Sequence, residues 1–151
     1  MFDDNRYFDV FVEYAKASPE DVLLQITVHN RGGRKATVQV LPQLWFRNTW
    51  GWGHDDYRPA MQQVAPGVAQ AEHQAMGQYY FYCEHEPQLL FCENDSNGPR
   101  LYGLPGEGRY FKDGINDYVV EGRSYAINPE QRGTKVAAQY ELKIPAGQSR
   151  T

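Results

Sequence analysis

The chain has 151 residues, the length of one domain and enough to bury a sizeable core. It is 41% hydrophobic and 23% charged, as ordinary folded proteins are, and its 11 tyrosines help to raise the aromatic share to 14%. The formal net charge of -4, without a Lys/Arg cluster, argues against nucleic acid as a partner. No apolar run approaches the ~18 residues of a membrane-spanning helix, and the acidic start MFDDNRYFDV is not a signal peptide.

The N-terminal third of the chain predicts three antiparallel strands. Apolar and polar residues alternate over residues 8–14 and 22–28, with turn signals at 18–21 and 30–33. A third strand is predicted over residues 36–46, where Pro42 indicates an edge or a bulge. Short turns between such strands are typical of an antiparallel meander.

The middle of the chain predicts a long insertion and then a hairpin. Residues 53–77 form the insertion, with one short strand over 61–70. Residues 79–83 and 88–93 read as the two strands of the hairpin, and 94–99 as a loop. A further short strand is predicted over residues 100–103.

One helix and one long strand are predicted near the C-terminus. Phe111, Ile115, Tyr118 and Val119 recur at helical spacing, so a helix is expected over about residues 112–120. Residues 134–144 alternate as a strand. The fold class is therefore all-β with about eight strands and one short helix. Two packed antiparallel sheets, a sandwich, fit this pattern better than a closed barrel, which the sequence leaves open.

The residues that could bind a metal ion do not form a complete site. Cys83, His85 and Cys92 are three soft ligands, but there is no CxxC motif and no fourth partner. The cluster His54-Asp55-Asp56 is interpreted as a solvated loop. The sequence thus predicts no metal and no cofactor, and both cysteines are expected to be reduced thiols.

Carboxylates are the remaining catalytic candidates, because no GxSxG motif or phosphate-binding glycine loop is present. A glycosidase needs two carboxyl groups ~5–9.5 Å apart. Glu93, Asp95, Asp113 and Asp117 are available, yet the pattern brings no two of them together. Asp113 and Asp117 lie one helical turn apart, which is more typical of surface or capping chemistry.

All three tryptophans lie in one segment, LPQLWFRNTWGWG. Trp45 ends a predicted strand and is expected to pack in a core or against a domain. Trp50 and Trp52 follow a polar run and alternate with glycines, which indicates a loop. Such a loop can bind a sugar or contact another domain.

Three segments together resemble one family, namely FDDNRYFDVFVEYAKASPEDVLLQITVHNRG, LPQLWFRNTWGWG and KDGINDYVV. They resemble the N-terminal β-domain of bacterial proteins of glycoside hydrolase family 63, relatives of mannosyl-oligosaccharide glucosidase, and the resemblance runs over essentially the whole chain. It implies a much longer parent protein. In that family a super-sandwich β-domain precedes an (α/α) barrel, which holds the carboxylates that hydrolyse an α-glycosidic bond with inversion.

The resemblance therefore implies a non-catalytic module, and no catalytic residue is assigned to this chain. The residues expected to face substrate or an interface are Arg47, Asn48, Trp50, Trp52, Lys112, Asp113 and Asn116. Trp50 and Trp52 are expected to be exposed or disordered without the barrel. The alternatives are an autonomous carbohydrate-binding domain and a complete small enzyme.

Further expectations concern organisation and partners. Residues 1–151 are expected to form a single β-sandwich domain excised from a longer chain of a bacterial cytoplasmic protein. The expected partners are the (α/α) barrel domain and an oligosaccharide, with no nucleic acid and no membrane. Unpaired strand edges would also allow a homodimer.

Overall fold

The computed structural model describes residues 6–53, 56–106 and 110–151. Within them the chain forms eleven strands and two α-helices, in the following order. The elements are β1 (Phe8–Ser18), β2 (Asp21–Asn30), β3 (Ala36–Val40), β4 (Gln43–Trp45), β5 (Ala60–Ala65), β6 (Val68–His73), β7 (Gly77–Tyr82), β8 (Gln88–Cys92), α1 (Gly98–Tyr102), α2 (Gly114–Glu121), β9 (Arg132–Gly133), β10 (Lys135–Ile144) and β11 (Ser149–Arg150). Neither helix of these described residues is long and apolar enough to cross a membrane.

The chain divides into two compact units. The first comprises Met1–Val40 with Glu141–Thr151, and the second comprises Leu41–Tyr140. The division falls within β10, so one strand contributes residues to both units.

The second unit contains two antiparallel sheets that pack face to face. One sheet has the strand order β7-β6-β5-β9, and the other is built around β10, which pairs with β4 and β8. Between them lies a core to which each sheet contributes alternate residues. Its buried members are Phe46, Met61, Ala69, Ala71, Leu89, Phe91, Val136 and Ala138. The predicted all-β antiparallel sandwich is therefore confirmed, with more strands than the expected eight.

The opposite face of the β8–β10 pair is covered by α2. Leu90 and Cys92 of β8 and Ala137 of β10 pack there against Ile115 of α2 and Ile127. Because both faces of β8 are covered, four consecutive residues of this strand are buried, and the run has no polar alternation.

The first unit is built on a long two-stranded ribbon. β1 and β2 pair in antiparallel register, with Val12 opposite Ile26, and β11 adds to the end of β2. The buried Asn30 secures that end, because its Nδ2 donates to the carbonyl oxygens of Arg34 (2.8 Å) and Ile144 (2.9 Å). Its Oδ1 accepts from the Gly32 amide at 2.9 Å, which fixes the turn after β2.

The third predicted strand and the predicted insertion are each divided in two. Residues 36–46 form β3 and β4 with a break at Leu41-Pro42, because proline has no amide to donate to the ladder. The insertion contains the hairpin of β5 and β6 rather than one strand. Its turn needs Gly67, whose φ is +65°, and a Cβ there would lie 2.9 Å from the Cys83 carbonyl oxygen.

The predicted hairpin of residues 79–83 and 88–93 is wrong. β7 pairs with β6, and β8 pairs with β10 in the other sheet. The intervening residues His85 and Glu86 have φ values of 63° and 48°, a left-handed conformation that sends the chain across to the second sheet.

The predicted strand over residues 100–103 is also wrong, because this segment belongs to α1. Asn97 caps the helix by accepting from the Arg100 amide at 3.0 Å, Pro99 occupies its first turn, and Gly103 ends it with a φ of 64°. The predicted helix over 112–120 corresponds to α2. Gly114 begins it where a Cβ would lie 2.1 Å from the Ala126 carbonyl oxygen.

Candidate functional site

A buried carboxylate, Asp95, organises the loop that follows β8. Its Oδ1 accepts from Asn48 Nδ2 at 2.5 Å and from the Trp50 indole Nε1 at 3.0 Å. Its Oδ2 accepts from Arg58 Nη2 at 3.0 Å. Asp95 is only 8% exposed, so these three donors replace the water that the carboxylate loses on folding.

Arg58 joins Asp95 to a second carboxylate. Its Nη2 also lies 2.7 Å from Glu93 Oε2, and its guanidinium lies over the Trp50 ring at 5.5 Å from the centroid. The Thr134 hydroxyl donates to the same Glu93 oxygen at 2.7 Å and accepts from the Asn94 amide at 2.8 Å. We call these residues, Asn48, Trp50, Arg58, Glu93, Asp95 and Thr134, the Asp95 cluster.

A second polar cluster lies where α1 meets α2. Arg100 of α1 donates through Nη1 to Asp113 at 3.0 Å and to Asp117 of α2 at 3.2 Å. Asp117 is buried and also lies 3.6 Å from Arg123. The hydrogen bonds to Asp117 and then to Asp113 raise the pKa of Arg100 above its usual value. We call these residues, with Asn97, the Arg100 cluster.

The loop of residues 93–97 connects the two clusters. Its Asp95 carbonyl oxygen accepts from the Lys112 amide at 3.2 Å, and Asn97 Nδ2 donates to Asp113 at 3.0 Å. The two groups of predicted site residues, 47–52 and 112–116, are thus held by one hydrogen-bonded loop. This proximity was not predicted, because the groups are about sixty residues apart in sequence.

The seven predicted site residues differ in their surroundings. Asn48, Trp50 and Asp113 are half-buried and hydrogen-bonded within the two clusters. Arg47, Lys112 and Asn116 have exposed side chains. Trp52 lies in the 3-10 turn Trp50–Trp52, and its side chain is outside the described residues, as is most of the segment His54-Asp55-Asp56.

One expectation about the tryptophans is wrong, and a second is tested only in part. Trp50 is neither exposed nor disordered, because its ring packs against the sandwich core and its N–H is bound to Asp95. Trp45, expected to pack in a core or against a domain, is 54% exposed, so it lies outside the core, and packing against another domain stays a prediction. Trp45 ends β4, and its strand neighbour Leu44 instead packs against the sandwich core.

The sequence did not single out Arg58, Arg100 or Thr134. Arg58 lies in the predicted insertion and Arg100 in a segment predicted as strand. One local signal was present, since Asn97 followed by Pro99 is typical of a helix N-terminus and would have predicted α1. Arg58 pairs with Glu93 and Asp95, which lie more than thirty residues further along the chain, and no local pattern predicts such a pairing.

The two clusters stabilise the loops and helices that they connect. Both oxygens of Asp95 accept hydrogen bonds from the protein, and the carboxylates of Asp113 and Asp117 bind Arg100. Such ion pairs hold loops and helices in place. Among the described residues, no group of three Cys, His, Asp or Glu side chains is arranged to hold a metal ion.

The two thiols lie in unreactive surroundings. Burial raises the pKa of Cys83 from its usual 9.0 to about 11 and that of Cys92 to about 12. Burial, followed by the neighbouring Cys83, raises the pKa of Tyr140 to about 12. At neutral pH both cysteines are therefore protonated, and a thiol rather than a thiolate is a poor nucleophile and a poor metal ligand.

These shifts predict a loss of stability at alkaline pH. Above about pH 9 the unfolded thiols ionise while the folded ones keep their protons, so the free energy of unfolding falls as pH rises from 9 towards 11–12. Denaturant midpoints measured from pH 8 to 11 check this expectation. Cys83→Ala should show a shallower fall than the native chain, and equal slopes for the two proteins would contradict the assignment.

Comparison with known proteins gives one long relative. The chain is similar to uncharacterized protein YMR196W of Saccharomyces cerevisiae, with 31% identity over 175 aligned positions. The alignment covers 96% of this chain and 16% of the yeast protein, so the chain spans about a sixth of the relative's length. No protein-family model and no solved structure matches the chain.

Proposed function

We propose that the chain is a non-catalytic β-sandwich module of an inverting α-glucosidase-like glycoside hydrolase. Its role is to pack against an (α/α) barrel domain and to complete the mouth of the barrel's active site. The segments that resemble family 63 of the glycoside hydrolases support the identity of the barrel. The yeast relative, in which the similar region is a small part of a long chain, supports a module within a larger protein.

The observation that carries the proposal is the exposed apolar surface of α1. This helix buries none of its residues, and it presents Leu101 and Tyr102 to solvent together with the following Leu104. The helix is nevertheless held in place, because Arg100 binds the carboxylates of Asp117 in α2 and of Asp113 just before α2. A braced helix with an exposed apolar surface is typical of an interface.

The predicted site residues fit this role as neighbours of the interface. Asp95 holds the loop of Asn48 and Trp50 in place, and its carbonyl oxygen holds the backbone of Lys112. The exposed side chains of Arg47, Lys112 and Asn116 remain available to bond hydroxyl groups of an oligosaccharide or the backbone of the barrel.

A second candidate function, an autonomous carbohydrate-binding domain, is favoured by a different surface. Tyr80 and Tyr82 of β7 point to the outer face of their sheet, with ring centroids 5.9 Å apart. Gln70 of β6 lies opposite Tyr80, and Gln62 of β5 lies opposite Gln70. Aromatic rings beside amides are typical of surfaces that bind sugars.

One pair of variants separates the two functions, because Tyr102 and Tyr82 are equally exposed at 72% and 73%. In the whole protein, Tyr102→Glu should lower the hydrolysis of an aryl α-glucoside at least tenfold by placing a charge in the interface. Tyr82→Glu should leave the rate within about twofold.

The opposite pattern would favour the sugar-binding domain. In that case the isolated chain is retarded on a gel that contains an α-glucan, and Tyr82→Glu abolishes the retardation. An unchanged rate for Tyr102→Glu, with retardation that depends on Tyr82, would overturn the module proposal.

A further inference from the structure

We propose that β1 is a dimerisation edge, at which a second copy of this chain adds its own β1 in antiparallel register centred on Val12. The inference goes beyond the proposed function and rests on the first unit alone. It concerns an interaction between copies, whereas the module proposal concerns a barrel domain and α1.

The β1–β2 ribbon has one apolar face and one mixed face. Residues directly opposite each other in an antiparallel pair share a face, so the observed register assigns every side chain. One face carries the apolar residues almost without interruption: Val10, Val12, Tyr14, Val22, Leu24, Ile26 and Val28. The other face is mixed and carries the Asp9–Arg31 ion pair and Glu13 beside Gln25.

The burial of this apolar face differs between the two ends of β2. Val28 is fully buried, Ile26 is half-buried, and Leu24 and Val22 are 42% and 58% exposed. The apolar face is therefore buried at the Val28 end of β2 and exposed at the Val22 end. A two-stranded ribbon is marginally stable alone in water, and additional strands stabilise it.

β1 offers an edge that such a strand could join. Within the described residues the sheet has the order β1-β2-β11, so β1 is an edge strand along its whole length. β1 has eleven residues, which makes this an unusually long edge. Its three charged side chains are Asp9, Glu13 and Lys16, and residues 10–12 carry none, so this part of the edge is open to pairing.

The sequence of β1 can pair with itself, which favours a second copy of this chain as the partner. A two-fold axis perpendicular to the sheet pairs even-numbered residues with even-numbered ones and odd with odd, because opposite side chains lie on the same face. The axis must therefore pass through one residue of β1. Centring it on Val12 places Val12 opposite its counterpart and Val10 opposite the second copy's Tyr14, so the apolar faces become continuous from Val10 to Tyr14. Lys16 then lies opposite Phe8, at the ends of the paired segment. On the other face Glu13 lies opposite Phe11, and no like charges are opposed.

The neighbouring registers are less favourable. Centring on Glu13 opposes two identical carboxylates, and centring on Phe11 places Glu13 opposite Asp9 of the other copy; like charges directly opposite each other are destabilising. Centring on Tyr14 places Lys16 opposite Val12 and interrupts the apolar face. Centring on Val10 opposes no like charges either, but it pairs only residues 8–12 of β1 with the second copy, whereas centring on Val12 pairs residues 8–16. The register centred on Val12 is therefore the most extensive one that opposes no like charges and does not place Lys16 opposite Val12.

Sedimentation equilibrium of the isolated 151-residue chain tests the association. We expect a reversible dimer, and Val12→Lys should raise its dissociation constant at least tenfold because two lysines would face each other. Val22→Lys is the matched control, since Val22 is on the same face but on β2, away from the edge. Its dissociation constant should remain within about threefold of the native value.

Cysteine cross-linking tests the register without weakening the strand. Directly opposite residues in an antiparallel pair have Cα atoms ~4.5–5.5 Å apart, within the range of a disulfide. In a Cys83→Ala, Cys92→Ala background, Val12→Cys should therefore form a covalent dimer under mild oxidation, and Tyr14→Cys should not.

A chain that stays monomeric at millimolar concentration, and in which Val12→Cys does not cross-link, overturns the proposal. In that case a different polypeptide would cover the apolar face. Cross-linking through Tyr14→Cys but not Val12→Cys would also overturn it, since it would place the axis elsewhere. Neither outcome bears on α1 or on hydrolysis by the whole protein.

Discussion

Replacing Asp95 with alanine is expected to lower the free energy of unfolding by about 2–4 kcal/mol. The substitution removes the acceptor of three hydrogen bonds and leaves the Trp50 and Asn48 N–H groups without it. Arg58 keeps Glu93 and is 38% exposed, so the loss stays below that of a fully buried ion pair. Denaturant unfolding of the native chain and the variant measures the difference.

A surface ion pair is the control for this experiment. Glu130 pairs with Arg132, and both side chains are more than half exposed. Glu130→Ala should therefore cost less than about 1 kcal/mol. An equally small cost for Asp95→Ala would show that the Asp95 cluster does not brace its loop.

Replacing Phe91 with alanine is expected to have the larger effect, about 3–5 kcal/mol. Phe91 is fully buried at the centre of the sandwich core, and its backbone carbonyl also accepts from the Asn128 amide at 2.8 Å. The truncation leaves a cavity between two sheets, which cannot close because both are held by their own ladders. Thermal and denaturant unfolding both report the loss.

Leu101→Ala is the matched control for Phe91→Ala. Leu101 is apolar but 59% exposed on α1, so its truncation should change the stability of the isolated chain by no more than about 0.5 kcal/mol. A large loss at Leu101, or a small one at Phe91, would place the core elsewhere than between the two sheets.

The parts of the fold that sequence predicts well are those with strict local alternation. β1, β2 and β10 have an apolar residue at every second position over much of their length, and the turn between β1 and β2 has its own signal. The burial of β1 and β2 could not be predicted in the same way, because periodicity identifies which face is apolar but not whether anything covers it. The apolar face of β1, for example, is exposed in the structure.

The parts that sequence predicts poorly depend on distant partners. β7 and β8 are adjacent in the chain, so a hairpin was the simplest interpretation, yet each pairs with a strand of a different sheet. The same holds for the site. The individual residues Asn48, Trp50 and Asp113 were found from their chemistry, whereas their common support, Asp95 with Arg58, depends on loops brought together by folding.

The most direct test of the proposed function compares hydrolysis of an aryl α-glucoside by the whole protein with hydrolysis by the 151-residue chain, both purified. We expect hydrolysis by the whole protein with inversion at the anomeric carbon, and none by the isolated chain. Hydrolysis by the isolated chain, lost when Glu93 or Asp95 is replaced, would contradict it and would identify the chain as an enzyme in its own right.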